Sequence, residues 1–445
     1  MRRAVLIPLS LAVLAACADQ TTLPGPLPPP GGIRASTSSA PGAGGGALYV
    51  SEPWVLAWNE GGVIYGQNLP LPDVGGGIVV WQDASSGAAM VLAVDVATGA
   101  RSTYGSVSGN FAFPVTAGRW AAWSGQGGTM YLRDASTGAV RTFGPGGGQM
   151  VSPEGRVAFI DFGAGVGNVG VYDAAAGTTR ILTHYTPSTA EAAREVDVDG
   201  NLVVWSTYTQ RSPYTTGIRV MDLSTGVERE IVHVNSQAIG APSVSEGRVV
   251  WSDERSGNYD VYLYDVATGT QRQITTDPAG QFNARISGSL IVWEDTRNST
   301  SHYLPENDIY LYDLASGTEI PVATGENHQG WPRIDGNRVV WTERANERWE
   351  IRTATVQAVS LEAAAAAVDG MLADGGISNR GTAESLRAFI AQATRARDAG
   401  DVAGERGALQ RFRAHVQQLA GKQVSAAAAA RLTAMADALL RSLGG

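Results

Sequence analysis

Lysine is almost missing from this chain. Lys422 is the only one, so Schiff-base or lysine general-base chemistry has no candidate in the long N-terminal part. Cysteine is as scarce, with Cys17 alone. The five histidines, His184, His233, His302, His328 and His415, are scattered without an i, i+4 pair or a His/Glu couple at metal spacing, so no metal site is legible. A GxSxG nucleophile elbow is absent, which argues against a serine peptidase of that type. Gly165, Gly167 and Gly170 satisfy GxGxxG, but they lead into a strand pattern, whereas dinucleotide binding needs a helix N-terminus there. No catalytic constellation and no cofactor site emerge. Positive charge is also short. Of 33 basic and 42 acidic residues, 10 and 8 fall in residues 361–445, leaving 23 and 34 for residues 1–360. That balance excludes nucleic acid or an anionic membrane surface as the partner of this part and favours neutral or mildly cationic ligands.

What is present begins with Arg2 and Arg3 ahead of an apolar run, residues 4–16, too short to span a bilayer and read as an export signal. The run ends in Leu14, Ala15, Ala16 and Cys17, which resembles the bacterial lipobox. That resemblance implies lipidation of Cys17 and attachment to a membrane through the lipid. Ala18, not Asp, follows the cysteine, and the sorting pattern of Gram-negative lipoproteins then implies the outer membrane. Residues 18–46 are Pro, Gly, Ser, Thr and Ala with little to bury, a tether.

An apolar tetrapeptide then recurs, ending at Trp81, Trp123, Phe159, Trp205, Trp251, Trp293 and Trp341. The steps are 42, 36, 46, 46, 42 and 48 residues, the period of a four-stranded propeller blade. Each of the first six copies is followed by a strand and a tight turn such as VDVATG (94–99) or YDVATG (264–269). In these turns Gly supplies positive φ and Asp accepts backbone N–H bonds. Blade five reads as strands at 242–245, 248–253, 259–266 and 270–275. The edges of such sheets demand closure into a ring, which makes the tryptophans inter-blade packing residues. Unit seven has three strands, at 332–335, 338–343 and 348–354. The orphan β segments 54–58 and 62–67 are therefore expected to pair with it. The expected fold is mainly β, a seven-bladed β-propeller over 47–356, with six or eight blades as alternatives. The motif ISG, SEG or IDG, then VVW, a polar loop and DIYLYDLASG resembles the repeat of TolB-like propellers over about residues 70–355. TolB itself carries an α/β domain before its propeller, where this sequence has a short tether.

Beyond residue 357 the pattern turns helical. Leu386, Phe389, Ile390 and Ala393 share one face ahead of Gly400. Leu409, Phe412, Val416 and Leu419 form a stripe ahead of Gly421. Leu432, Met435, Ala436, Leu439 and Leu440 follow a Ser425 cap. With 361–373 this makes a small α-helical bundle of three or four helices over 357–445. The stretches 375–393 and 408–432 resemble the FIMAH domain of bacterial extracellular proteins, and His415 is read as a surface or interface residue.

In an A-B-C-D meander the B to C and D to A connections share one face, and the long insertions 183–194, 206–217, 252–259 and 294–307 all fall there. They bring Tyr208, Arg211, Tyr214, Arg255, Tyr259, Arg297, His302, Tyr303, Arg344 and Trp349 to one rim, residue types that carry interface energy. The expected function is a lipid-anchored binding or scaffolding protein of the cell envelope whose looped face engages a protein, peptide or glycan. The alternative is an extracytoplasmic polysaccharide lyase or hydrolase using Asp253, Glu254, His302 and Tyr303. Asp197 and Asp199 before Gly200 look like half a calcium loop but read as an ordinary A to B turn.

Overall fold

The structure is a computed structural model that describes residues 47–444 apart from 52, 60–69, 85–87, 109–111, 190, 210–211, 213, 235–238, 300–305 and 346–347. Cys17, the tether, the segment 62–67, Arg211, His302 and Tyr303 lie outside the described residues.

Each copy of the apolar tetrapeptide becomes strand B of an antiparallel blade, four-stranded in the first six, and seven blades close into a ring. Blade five runs Ser243–Ser245, Arg248–Asp253, Asp260–Asp265 and Thr270–Gln273, within two residues of the sequence reading at every strand end. Glycine at the C to D turns takes the positive φ expected of it, from 67° at Gly177 to 75° at Gly138. The preceding aspartate accepts backbone N–H bonds as expected, for example from Ala97 and Thr98 to Asp95 Oδ1, both 2.9 Å. The repeat aromatics, from Trp81 through Phe159 to Trp341, are buried. They sit between neighbouring blades: Trp341 and Val339 of the last blade share one core with Leu290, Val292, Ile309 and Leu311 of the sixth.

The last blade lacks a strand of its own sequence, and the N-terminus supplies it. Ala47–Val50 and Trp54–Asn59 both pair antiparallel with Arg348–Val359, which carries Leu56 and Ala57 into one cluster with Val79, Trp81, Val340 and Ile351 across the first and last blades. Side chains on the inner strands also tie blade to blade. Thr116 N–H donates to Asp73 Oδ2 (2.7 Å), Val244 N–H to Asp197 Oδ2 (2.9 Å) and Gly288 N–H to Ser245 Oγ (3.0 Å). Gly336 N–H donates to Ser287 Oγ (2.9 Å), and Gly76 N–H to Asp335 Oδ2 (2.9 Å), which spans the closure between blades seven and one.

Four helices follow: α1 Leu361–Ala373, α2 Arg380–Asp398, α3 Val402–Leu419 and α4 Ala426–Ser442, capped by Ser360, Asn379, Asp401 and Ser425. Their core holds Leu386, Ile390, Leu409, Phe412, Val416, Leu432 and Met435. His415 lies between α2 and α3, with Nε2 3.2 Å from Ser385 Oγ and its ring 5.5 Å from that of Phe389. The bundle is joined to the ring through the N-terminal strand, whose period-2 alternation splits its residues between two cores. Ala47 and Tyr49 enter the helical cluster, whereas Leu48 and Val50 pack with the last blades.

Candidate binding face and axial channel

Among the described residues, strand order places the B to C and D to A connections on one face and the short A to B and C to D turns on the other. Blade four departs from the loop reading. Its insertions extend the sheet, so Tyr208 is a strand residue opposite Ala192 and Thr216. Tyr214 projects, half exposed, from the B to C connection, and Arg344 is exposed. Tyr259 packs on Phe282 of the next blade at 4.9 Å. Trp349 stands edge-on to Trp331 at 6.3 Å and to His328 at 5.8 Å.

Arg255 and Arg297 each hold a buried carboxylate of their own blade. Trp251 Nε1–H donates to Asp253 Oδ2 (3.2 Å), Arg255 grips the same buried carboxylate through Nε (2.8 Å) and Nη2, and its guanidinium stacks over Tyr262 at 4.8 Å. Blade six repeats the clamp with Trp293, Asp295 and Arg297, the last also bound to Glu319 (2.6 Å) and stacked on Tyr310 at 4.1 Å. Both arginines thus brace their own blades through a buried carboxylate and a ring, while Arg255 stays exposed and Arg297 partly so. Asp253 is fully buried, and both its oxygens accept hydrogen bonds from Trp251 and Arg255. Gly167 of the GxGxxG match serves packing, because a Cβ there would lie 2.2 Å from Ala193 O of blade four.

What the sequence reading missed is the axis. Aligned on their tryptophans, six repeats place one residue eight positions earlier, on strand A: Asp73, Val115, Asp197, Ser243, Arg285 and Arg333, with Met150 the register equivalent in blade three. That alignment was the available signal. These residues ring the waist of a channel whose cavity on the looped side measures about 210 Å³, with Phe113, Gln149, Arg194 and Glu195 above the waist. Two positions before the waist the chain bulges. Phe113, Asn283 and Trp331 take φ of 42°, 52° and 50° there, and Gly148 takes 58°. A left-handed bulky residue stores strain of about 1–3 kcal/mol, and a bulge re-aims a side chain at a sheet's rim. Glu294, buried, holds this geometry by accepting from Trp331 N–H (2.7 Å), Asn283 Nδ2 (2.8 Å) and Asn307 Nδ2 (2.7 Å).

Charges at the waist are arranged unevenly. Arg333 Nε lies 3.5 Å from Asp73 Oδ1. Burial nevertheless outweighs that attraction and pushes the Asp73 carboxyl up to about 6. Burial also raises Asp197. Desolvation, reinforced by the neighbouring Arg333, lowers Arg285 to about 10. Among the described residues no group of three or more His, Cys, Asp or Glu is placed to hold a metal ion.

The sequence pattern of the FIMAH domain matches residues 361–441. These helices are a FIMAH domain. Comparison with curated proteins gives no match. Among solved structures the ring is similar to the β-propeller domain of the Trilobed protease from Pyrococcus furiosus, with TM-score 0.50 and 12% identity over 66% of this chain and 97% of that one. That domain has an open velcro topology, whereas the ring described here closes through its N-terminal strand. It also resembles the acylaminoacyl peptidase of Pyrococcus horikoshii (TM-score 0.45, 12% identity, 67% of this chain and 49% of that one) and TolB from Acinetobacter baumannii (TM-score 0.37, 12% identity, 64% and 79%). The chain thus spans about half the length of that peptidase. At 12% identity the likeness to the Trilobed protease domain speaks for the propeller fold alone, here followed by the FIMAH domain.

Proposed function

We propose that this chain is a lipid-anchored binding or scaffolding protein of the cell envelope, held at the outer membrane through Cys17, whose looped propeller face engages a protein, peptide or glycan. The observation that carries the reading is the asymmetry of the two faces. One collects the long insertions, the half-exposed Tyr214, the Trp331, Trp349 and His328 group and the mouth of the channel. The other keeps tight turns closed by their own aspartates. Aromatic side chains in a concave rim are the usual sources of recognition energy. A lyase or hydrolase built on Asp253 finds less support, because that carboxylate is committed to Trp251 and Arg255. The test is affinity capture from envelope extracts with the full chain, followed by loss of the captured species when Tyr214, Trp331 and Trp349 are substituted.

A further inference from the structure

Arg285 stands out among the charged groups of the channel. Its Nη1 makes only long contacts to main-chain oxygens, 3.3 Å to Ala284 O and 3.5 Å to Ala241 O, and its buried Nε meets no hydrogen-bond partner among the described residues. Every acid nearby is committed elsewhere. Asp73 holds Arg333 and Thr116 N–H. Asp197 accepts from Val198 N–H (2.8 Å) and Val244 N–H (2.9 Å). Glu195 pairs with Arg194 at 3.3 Å and accepts from Ser206 Oγ–H. Arg285 thus feels these acids at a distance but makes no direct ion pair with any of them; a desolvated cation lacking hydrogen bonds to a carboxylate is costly, and a guanidinium fork matches a planar carboxylate with two parallel bonds.

We infer that Arg285 anchors a carboxylate-binding subsite in the axial channel, which takes a ligand bearing a single carboxylate on a neutral or apolar body. This deepens the binding reading above and rests on the channel mouth belonging to the looped face. Three observations set the ligand class. The cavity of about 210 Å³ lies below the roughly 300–1,000 Å³ of pockets for drug-sized molecules, so it admits one small group. Asp73, Asp197 and Glu195 surround Arg285, so a second negative charge on the ligand is repelled. Phe113, just ahead of the first strand of blade two, lines the cavity with Pro114, Val115 and Met150 and offers apolar contact to the body of the ligand.

The probes are N-acetylphenylalanine and its amide, isosteric apart from the charge, titrated into the full chain by calorimetry. The Arg285 Nε–H signal is followed in parallel by arginine-labelled NMR. The acid is expected to bind about tenfold or more tighter than the amide and to shift that signal. Arg285→Gln is expected to abolish the difference. Arg285→Lys keeps the charge without the fork and should retain part of it, and melting curves establish that both variants fold. Equal affinity for acid and amide, acid binding unchanged in Arg285→Gln, no acid binding at millimolar concentration, or inorganic phosphate bound more tightly than the acid would each overturn the proposal. Envelope species captured independently of Arg285 remove this subsite and leave the face reading standing. Carboxylate binding with no captured species does the reverse.

Discussion

At the scale of single side chains, the Trp–Asp–Arg clamp of blades five and six turns apparent loop residues into parts of the framework. Asp295 is fully buried, so Arg297→Ala leaves its carboxylate without its main counter-charge. The loss should be about 3–5 kcal/mol in urea unfolding, and Arg297→Lys should recover only part of it because the fork and the stacking on Tyr310 are gone. No loss in Arg297→Ala would return that arginine to the pool of free surface groups. Asp73 gives a pH signature. Its folded value of about 6 lies above the ordinary carboxylate value, so the protonated form favours the folded ring. That contribution is complete below about pH 4 and disappears as pH rises through about 6, a swing of roughly 3 kcal/mol. The stability of the wild type relative to Asp73→Asn should therefore increase as pH falls from 7 to 4, and a difference that stays flat contradicts the assignment.

The elements were largely legible because their signals are local and repeated. Seven copies of the apolar tetrapeptide, six Asp-to-Gly turns and the Ser425 cap each state their own geometry. Closure by residues 54–58 was legible too, since a blade with three strands must find a fourth. Hidden from the sequence was the second task of Ala47–Val50, because which core an alternating strand faces depends on what lands on its outer side. Deleting residues 47–59 exposes the edge of Arg348–Val359 and should lower the melting temperature of the whole ring. Removing residues 361–445 uncovers Ala47, Tyr49 and Val359 and should cost roughly 3–5 kcal/mol. An unchanged melting temperature in either truncation would contradict a ring latched by its own N-terminus and covered by the FIMAH domain.

Across the whole molecule the looped face could be assigned from strand parity, but its hot region could not. Tyr208, Arg255 and Arg297 read as loop residues by spacing, and only the structure shows that Tyr208 lies on a strand opposite Ala192 and that the two arginines also clamp Asp253 and Asp295. The channel residues are separated by about forty positions each and meet only when the ring closes. The address rests on Cys17: if that thiol carries the lipid, Cys17→Ala should move the protein from the membrane to the soluble fraction, and retention on membranes would contradict the anchor. The central claim is tested most directly by comparing two sets of variants as bait in envelope extracts. Trp331→Gly, which suits the positive φ at that position, combined with Trp349→Ala and Tyr214→Ala should abolish capture while the ring melts as the wild type does. Glu246→Gln with Thr268→Ala on the opposite face should leave capture intact. Capture that survives the first set and is lost with the second would show that the protein binds through the face assigned here as inert.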